Sequence, residues 1–195
     1  MHPKTKPDAP VEQKVQSQDF HITVRPMILD DLDQVVAIDQ NSFSLPWPAH
    51  SFRYELMEND VARLWVAEID INQDNPQVVG MMVVWLILDE AHIATIAVDP
   101  RFRRLGVARQ MIHTAMQECA TMGARSATLE VRENNLNAID LYHKLEFKVV
   151  GRRKRYYKDT NEDAILMTMY MKTPENLLTR PNEISGSNGG KRESR

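Results

Sequence analysis

The chain has 195 residues, of which 43% are hydrophobic and 26% charged, and its formal net charge is −3. These values are typical of a single globular domain with a well-buried core, and the longest apolar run, Met81–Leu88, is too short to span a bilayer. The 7 glycines and the single cysteine exclude the G-x-G-x-x-G and G-x-x-x-x-G-K-S/T nucleotide loops, an internal disulfide and a cysteine-based zinc site.

The two ends of the chain differ in composition from its middle. Residues 1–19 are polar and proline-bearing, and residues 173–195 end in a stretch rich in Ser, Gly and Asn. Neither segment has enough apolar surface to offset the entropy of ordering, so we expect two disordered extensions. Residues 20–172 are expected to form one domain. No apolar signal segment follows the N-terminal lysines, so we expect a cytoplasmic protein that does not associate with membranes.

The first half of the domain predicts one strand, two helices and three further strands. The strand covers Ile22–Arg25, and Asp30 suits the N-cap of a helix whose apolar positions begin at Leu32. The second helix is predicted over Ala49–Met57, and the Asn- and Asp-rich segment Asp70–Gln77 predicts a hairpin loop. The three β-rich runs are Ala62–Ile69, Val78–Leu88 and His92–Val98.

In the second half of the domain, apolar residues first recur at the spacing of a helix. This helix is predicted from Arg104, and Gly123 is placed to end it in a left-handed conformation. The remaining elements are a strand at Ser126–Val131 and a helix at Leu136–Lys144, followed by a final pair of strands. This pair begins with Phe147–Val150 and ends with Ile165–Met171. We therefore predict an α/β domain with a mixed, twisted central sheet of about seven strands flanked by about four helices.

The segment from Asp99 to Arg109 has the clearest binding pattern. An apolar strand ends at Asp99-Pro100, four arginines fall within nine residues, and Gly106 is the lone glycine where a helix is expected to begin. A helix start exposes unpaired backbone N–H groups and the positive end of the helix dipole, which together favour a phosphate. Charge alone favours an arginine-rich surface turn. The order of strand, glycine and helix favours a phosphate site instead.

This segment resembles a known family. The sequence Arg-Arg-Leu-Gly-Val-Ala at 103–108 is similar to the Q/R-x-x-G-x-G/A motif of the GCN5-related N-acetyltransferases, and the predicted order of elements over 20–172 matches that family. The resemblance implies that backbone amides here bind the pyrophosphate of acetyl-coenzyme A (acetyl-CoA), and it implies no metal. The residues that it places at the cofactor are Arg103, Arg104, Leu105, Gly106, Val107, Ala108 and Arg109.

A second segment has candidate catalytic residues. In the predicted strand Glu130 faces away from its two apolar neighbours, and periodicity alone makes it a surface charge and Tyr142 a core aromatic. Acetyl transfer to an amine needs a group that takes a proton from the amine and a donor for the departing thiolate. A carboxylate and a phenol are sufficient for these two proton movements.

The pattern L-E-V-R followed by N-x-x-A-I-x-L-Y resembles the ribosomal-protein-alanine N-acetyltransferases within that family. The resemblance implies that Glu130 is the general base, directly or through a water, that Tyr142 is the general acid, and that Asn135 hydrogen-bonds coenzyme A. It also implies that one strand edge pairs with the pantetheine arm as an added strand would and holds the oxyanion. That edge consists of Ile96, Ala97 and Val98.

Two further segments are candidates for contact with the acceptor. The loop residues Leu45, Pro46 and Trp47 resemble the F-P-W loop of the same group, although a loop that packs its aromatics into the core explains them equally well. Tyr156 and Tyr157 resemble a pair that contacts the first residues of the acceptor peptide in related N-terminal acetyltransferases. They lie in a basic run, which also suits a charged, exposed strand edge.

Where this chain has Glu146, the family usually has glycine, and a left-handed glutamate there would cost about 1 kcal/mol or require a different turn. The 6 histidines share no metal-ligand spacing, so we expect each of them, including His92, to be a surface or otherwise satisfied histidine.

The resemblance implies an acetyl-CoA-dependent Nα-acetyltransferase that modifies the N-terminal alanine of a small-subunit ribosomal protein. Its partner would be a protein N-terminus, with no direct binding to nucleic acid, and we expect a monomer or weak dimer. A broader protein N-terminal or small-amine acetyltransferase is one alternative. A non-catalytic acetyl-CoA sensor or ribosome- or RNA-binding module is another, which the presence of both Glu130 and Tyr142 disfavours.

Overall fold

The computed structural model describes residues 21–70 and 76–171, and within them seven strands and four α-helices follow the predicted order. The strands are β1 (His21–Pro26), β2 (Ala62–Asp70), β3 (Gln77–Ile87), β4 (Glu90–Val98), β5 (Ser126–Arg132), β6 (Lys148–Tyr157) and β7 (Glu162–Tyr170). The helices are α1 (Leu32–Ser42), α2 (Ala49–Met57), α3 (Val107–Thr121) and α4 (Leu136–Lys144). The α/β class is therefore confirmed. The predicted extensions at 1–19 and 173–195, and residues 71–75 of the predicted loop, lie outside the described residues.

One sheet in the order β1-β2-β3-β4-β5-β7-β6 joins all seven strands. All neighbours are antiparallel except β4 and β5, which are parallel and pair only over Glu90–Ile93 with Ser126–Leu129. Beyond that point each strand continues without the other. A bulge at Ala94 interrupts the pairing of β4 with β3 where this separation begins. The sheet therefore opens a gap between the C-terminal halves of β4 and β5.

Helices cover both faces of the sheet. One core cluster includes Met111 and Ile112 of α3, and the other includes Val35 of α1 and Phe52 of α2. Gly80 of β3 lets α3 approach closely, because a Cβ there would lie 2.8 Å from the Met111 sulfur. None of the helices in the described ranges has the length and apolar character needed to cross a membrane.

The predicted starts of the first and third helices are wrong. A 3₁₀ turn at Leu29–Asp31 precedes α1, so its N-cap residue is Asp31 and not Asp30, and the Asp31 side chain does not cap the helix. The Asp31 carboxylate instead accepts the Ile28 N–H at 2.8 Å and two hydrogen bonds from Arg25 of β1, at 2.7 and 2.8 Å. Helix α3 begins three residues later than its apolar period suggests, because Arg104 has a φ of 68° and Gly106 one of 87°, which helical residues do not adopt.

Candidate active site

The gap between β4 and β5 leads into two adjoining cavities. The first, of about 570 Å³, lies between the α1–α2 loop and the β6–β7 turn and is called here the acceptor cavity. The second, of about 640 Å³, lies at the start of α3 and is called the cofactor cavity. Residues that line both are Ser42, Phe43, Ile96, Asn135, Ala138 and Tyr142. The two cavities therefore share a wall at the point where β4 and β5 separate.

The turn before α3 has the backbone geometry of an anion site. Arg104 and Gly106 both have positive φ, at 68° and 87°, and Gly106 is the N-cap of α3. Such reversals bring successive N–H groups toward one point and form a concave site for anions, here at the positive end of a helix dipole. A Cβ on Gly106 would meet nothing within 4 Å. The glycine is therefore needed for its conformation and not for space inside the protein.

The arginines of this turn differ in their surroundings. Arg101 pairs with Asp99 at 2.7 Å, and hydrogen bonds from Arg101 hold the pKa of that carboxyl below its usual range. Arg103 donates through Nε to the Val98 carbonyl at 3.1 Å, which ties the turn to the end of β4. The residues of the predicted cofactor segment that line the cofactor cavity are Arg103, Arg104, Gly106, Val107, Ala108 and Arg109. Leu105 does not line it.

The open side of β4 has backbone groups without a strand partner. The Asp99 N–H donates to Val79 of β3 at 2.8 Å. Because backbone groups alternate along a strand, those of Ala97 also face β3, whereas those of Ile96 and Val98 point away from it. The pairing of β4 with β5 has already ended at Ile93. An extended ligand can therefore hydrogen-bond to the backbone of Ile96 and Val98, and Ala97 lines the cofactor cavity as well.

Glu130 lies in the acceptor cavity between two basic side chains. Its side chain is 13% exposed, with Oε1 3.0 Å from Arg153 and Oε2 3.4 Å from His92. Strand alternation buries Leu129 and Val131 on the opposite face, as predicted. His92 is thus placed against the candidate base, and its other ring nitrogen lies 3.2 Å from Thr128 Oγ1.

Sequence reasoning missed the two partners of Glu130. The alternation of side chains along a strand predicts which face of β4 carries His92, but not what lies next to it on that face. The parallel register pairs His92 with Thr128 and so brings it close to Glu130. Arg153 lies on β6, which the sheet order separates from β5 by β7. No local sequence pattern contains that register, so neither contact could be found from the sequence.

Tyr142 is both a core aromatic and a cavity residue. It is 7% exposed, packs edge-on against Phe147 at 5.7 Å between ring centroids, and lines both cavities. Burial raises its pKa well above the usual value, so the phenol stays protonated at neutral pH. The wall that the two cavities share therefore contains a protonated phenol. Asn135 lines both cavities as well, and its Oδ1 caps α4 by accepting the Ala138 N–H at 3.3 Å.

The loop between α1 and α2 serves the core and the cavity at once. Trp47 stacks on Phe52 at 5.3 Å and on Trp85 at 6.4 Å, and it also lines the acceptor cavity. Leu45 lines the cavity and is 62% exposed, whereas Pro46 does not line it. The carboxylate of Asp39 accepts the Trp47 N–H at 2.7 Å and fixes the loop to α1.

Tyr156 and Tyr157 line the opposite wall of the acceptor cavity. Their rings meet edge to face at 5.2 Å, and the Arg132 guanidinium lies 4.0 Å from the Tyr157 ring centroid. Burial raises the pKa of Tyr157 to about 12. The basic run before them is partly neutralised, since Arg152 pairs with Asp163 at 2.7 Å and with Glu133. Cavity residues at these walls that the prediction did not include are Phe43, Ser44, Arg132, Lys158 and Asp159.

Comparison with known proteins gives a consistent picture. Residues 32–147 match the model of the acetyltransferase (GNAT) family. A Bacillus subtilis (strain 168) protein, provisionally named a ribosomal protein bS18-alanine N-acetyltransferase, is 38% identical over 144 residues, which cover 74% of this chain and 92% of the relative.

Two solved structures have the same fold. The ribosomal-protein-S18-alanine N-acetyltransferase from Escherichia coli superposes with a TM-score of 0.69 at 28% identity, over 78% of this chain and 96% of the other. Arabidopsis thaliana NAA60, in complex with acetyl-CoA, superposes with a TM-score of 0.69 at 19% identity, over 77% of this chain and 99% of the other. At 19% identity the second likeness shows the fold alone.

Proposed function

The chain belongs to the acetyltransferase (GNAT) family and is an N-acetyltransferase, and from this premise we propose that it transfers acetyl from acetyl-CoA to the N-terminal amine of a protein. The acceptor we propose is the N-terminal alanine of a small-subunit ribosomal protein. The names of the B. subtilis relative and of the E. coli structure support that choice.

The observation that carries the proposal is the shared wall of the two cavities. On one side, the Gly106 turn and the free edge of β4 suit a pyrophosphate followed by an extended chain. On the other side, the α1–α2 loop and the paired tyrosines enclose a space with room for the end of a peptide. Tyr142 lines both sides, and Glu130 lies on the acceptor side. A thioester at the wall would thus lie between a candidate base and a candidate acid.

Bound acetyl-CoA supplies an already activated thioester, so the protein needs no nucleophile of its own. Glu130 takes the proton from the incoming amine, directly or through a water, because a protein N-terminus with a pKa of about 7.7–8.0 is largely protonated at neutral pH. One backbone N–H of the Ile96–Val98 edge holds the carbonyl oxygen as negative charge develops on it.

Tyr142 acts at the departing sulfur. A thiolate has a pKa of about 8.5, so it is stabilised by a nearby hydrogen-bond donor and gains a proton from it or from solvent as it leaves. The raised pKa of Tyr142 keeps its O–H available as that donor. At the other end, Arg103, Arg104, Arg109 and Asn135 are proposed to contact coenzyme A, and Trp47, Tyr156 and Tyr157 the acceptor. We place the reaction in the cytoplasm, where an unfolded ribosomal-protein N-terminus is accessible.

The acceptor is tested by mass spectrometry of N-terminal peptides from cells that lack the gene. We expect one ribosomal protein that starts with alanine to lose its N-terminal acetyl group, and to regain it when the gene is restored. An unchanged acetylation pattern of all ribosomal proteins would contradict the proposed acceptor. Loss of acetylation on many unrelated N-termini would instead support the broader specificity.

A further inference from the structure

The two walls of the acceptor cavity are joined by one side-chain contact between distant segments. The hydroxyl of Ser44, in the α1–α2 loop, donates to the carboxylate of Asp159 in the β6–β7 turn, 115 residues further along the chain. Both residues line the acceptor cavity. The contact therefore bridges the cavity from one wall to the other.

Asp159 is also held by Arg132, the last residue of β5. Nη2 of Arg132 donates to both of its carboxylate oxygens, at 3.0 and 2.8 Å, and Nη1 donates to Thr160 Oγ1 at 2.7 Å. The same guanidinium lies over Tyr157. The hydrogen bonds from Ser44 and Arg132 hold the pKa of Asp159 at about 2, so its carboxylate is ionised throughout the neutral range. Asp159 thus connects the α1–α2 loop to Arg132 of β5 and, through Arg132, to Tyr157.

The β6–β7 turn does not need this bridge to keep its place. Glu162 accepts the Asn134 N–H at 2.7 Å, Asp163 accepts the Arg155 N–H at 2.8 Å, and β7 pairs with β5 along its length. Removal of the Ser44 hydroxyl therefore leaves the hairpin attached to the sheet. What it removes is the fixed spacing between the two walls.

We propose that Asp159 is a positioning residue for the acceptor, which through Ser44 and Arg132 holds the two walls at the spacing that an extended peptide N-terminus requires. The inference rests on the proposed function, since it assumes a peptide acceptor. Ser44, Arg132, Tyr157 and Asp159 all line the acceptor cavity, and none of them lines the cofactor cavity. The effect of breaking the bridge is therefore confined to the acceptor.

The test is steady-state kinetics of Ser44→Ala with a peptide that begins with alanine. We expect KM for the peptide to rise about tenfold, equivalent to about 1.4 kcal/mol, while kcat and KM for acetyl-CoA stay within about twofold. Ser44→Thr keeps the hydroxyl and restores the peptide KM. Asp159→Ala raises the peptide KM at least as much. Adding Ser44→Ala to Asp159→Ala causes no further rise, because both substitutions remove the same Ser44–Asp159 contact. Asp33→Asn, on the exposed side of α1, is the matched control with unchanged constants.

The outcomes separate this inference from the proposed function. If the wild-type enzyme acetylates no peptide N-terminus, the proposed function is wrong. If the wild type acetylates the peptide but Ser44→Ala leaves the peptide KM unchanged, the positioning role is wrong. A parallel rise in both KM values, or a rise that Ser44→Thr does not reverse, would likewise contradict it by showing a general structural effect.

Discussion

Glu130 has both carboxylate oxygens engaged, one by Arg153 and one by His92. Each oxygen keeps a second acceptor site, so an amine or a water can approach the carboxylate while these partners stay in place. Replacement of Glu130 by Gln keeps the shape of the side chain but removes its ability to take a proton. The variant thus isolates proton transfer from packing.

We expect Glu130→Gln to lower kcat at neutral pH by about 10²–10⁴, the usual contribution of a general base. The loss should shrink as the pH rises above about 8, because the amine then deprotonates without help. Thiol release from acetyl-CoA across the pH range measures this. An equal loss at every pH would remove Glu130 from the role of base. Tyr142 adds no alkaline limb below about pH 10, since its raised pKa keeps it protonated there.

Gly106 and Gly123 have similar backbone conformations, so Gly123→Ala is a matched control for the effect of Gly106→Ala on the anion site. Both have positive φ, at 87° and 102°, and a Cβ on either would meet nothing within 4 Å. Alanine at either position should therefore cost about 1 kcal/mol of folding free energy through backbone strain alone. Only Gly106 lines the cofactor cavity. Gly106→Ala should raise KM for acetyl-CoA several-fold, whereas Gly123→Ala should not. Equal effects on KM would show that Gly106 has no binding role.

At the scale of elements, the end of α4 holds a strained residue. Glu146 takes the left-handed conformation with a φ of 69°, where the sequence predicted either this strain or a different turn. Glu146→Gly should raise the free energy of unfolding by up to about 1 kcal/mol and the Tm by about 2–4 °C. Thermal unfolding measures the shift. A lower Tm would show that the contacts of the glutamate side chain outweigh the strain.

The junction of α1 with the acceptor loop contains a buried carboxyl. Asp39 is fully buried, Oδ2 accepts the Trp47 N–H, and Oδ1 has no hydrogen-bond partner in the described part of the chain. Burial raises its pKa, and the Trp47 N–H only partly opposes this. A carboxyl with a raised pKa in the folded state binds a proton more tightly than it does in the unfolded chain. Its ionisation therefore costs stability as the pH rises through the folded pKa.

Asp39→Asn removes this ionisation. The free energy of unfolding of the variant, minus that of the wild type, should therefore increase as the pH rises above about 4, the usual pKa of an aspartate. Urea unfolding at several pH values measures this difference. A difference that stays constant with pH would show that Asp39 ionises as easily in the folded protein as in the unfolded one.

At the scale of the molecule, the sequence predicts the helices and strands better than the contacts between them. Helices α2 and α4 lie at their predicted bounds, because a clear apolar period and flanking loops define them. The start of α3 is missed because two left-handed residues precede it. The partners of Glu130 and the Ser44–Asp159 contact depend on strand register and on segments far apart in the chain, which no local pattern encodes.

The central claim is that the acceptor is a protein α-amine, and transfer to paired peptides tests it most directly. One peptide begins with a free alanine and has its lysine blocked, and the other has a blocked N-terminus and a free lysine. With acetyl-CoA and the wild-type protein, mass spectrometry should find acetyl on the alanine of the first peptide and none on the second. Transfer to the lysine instead, or binding of acetyl-CoA without transfer to either peptide, would contradict the account.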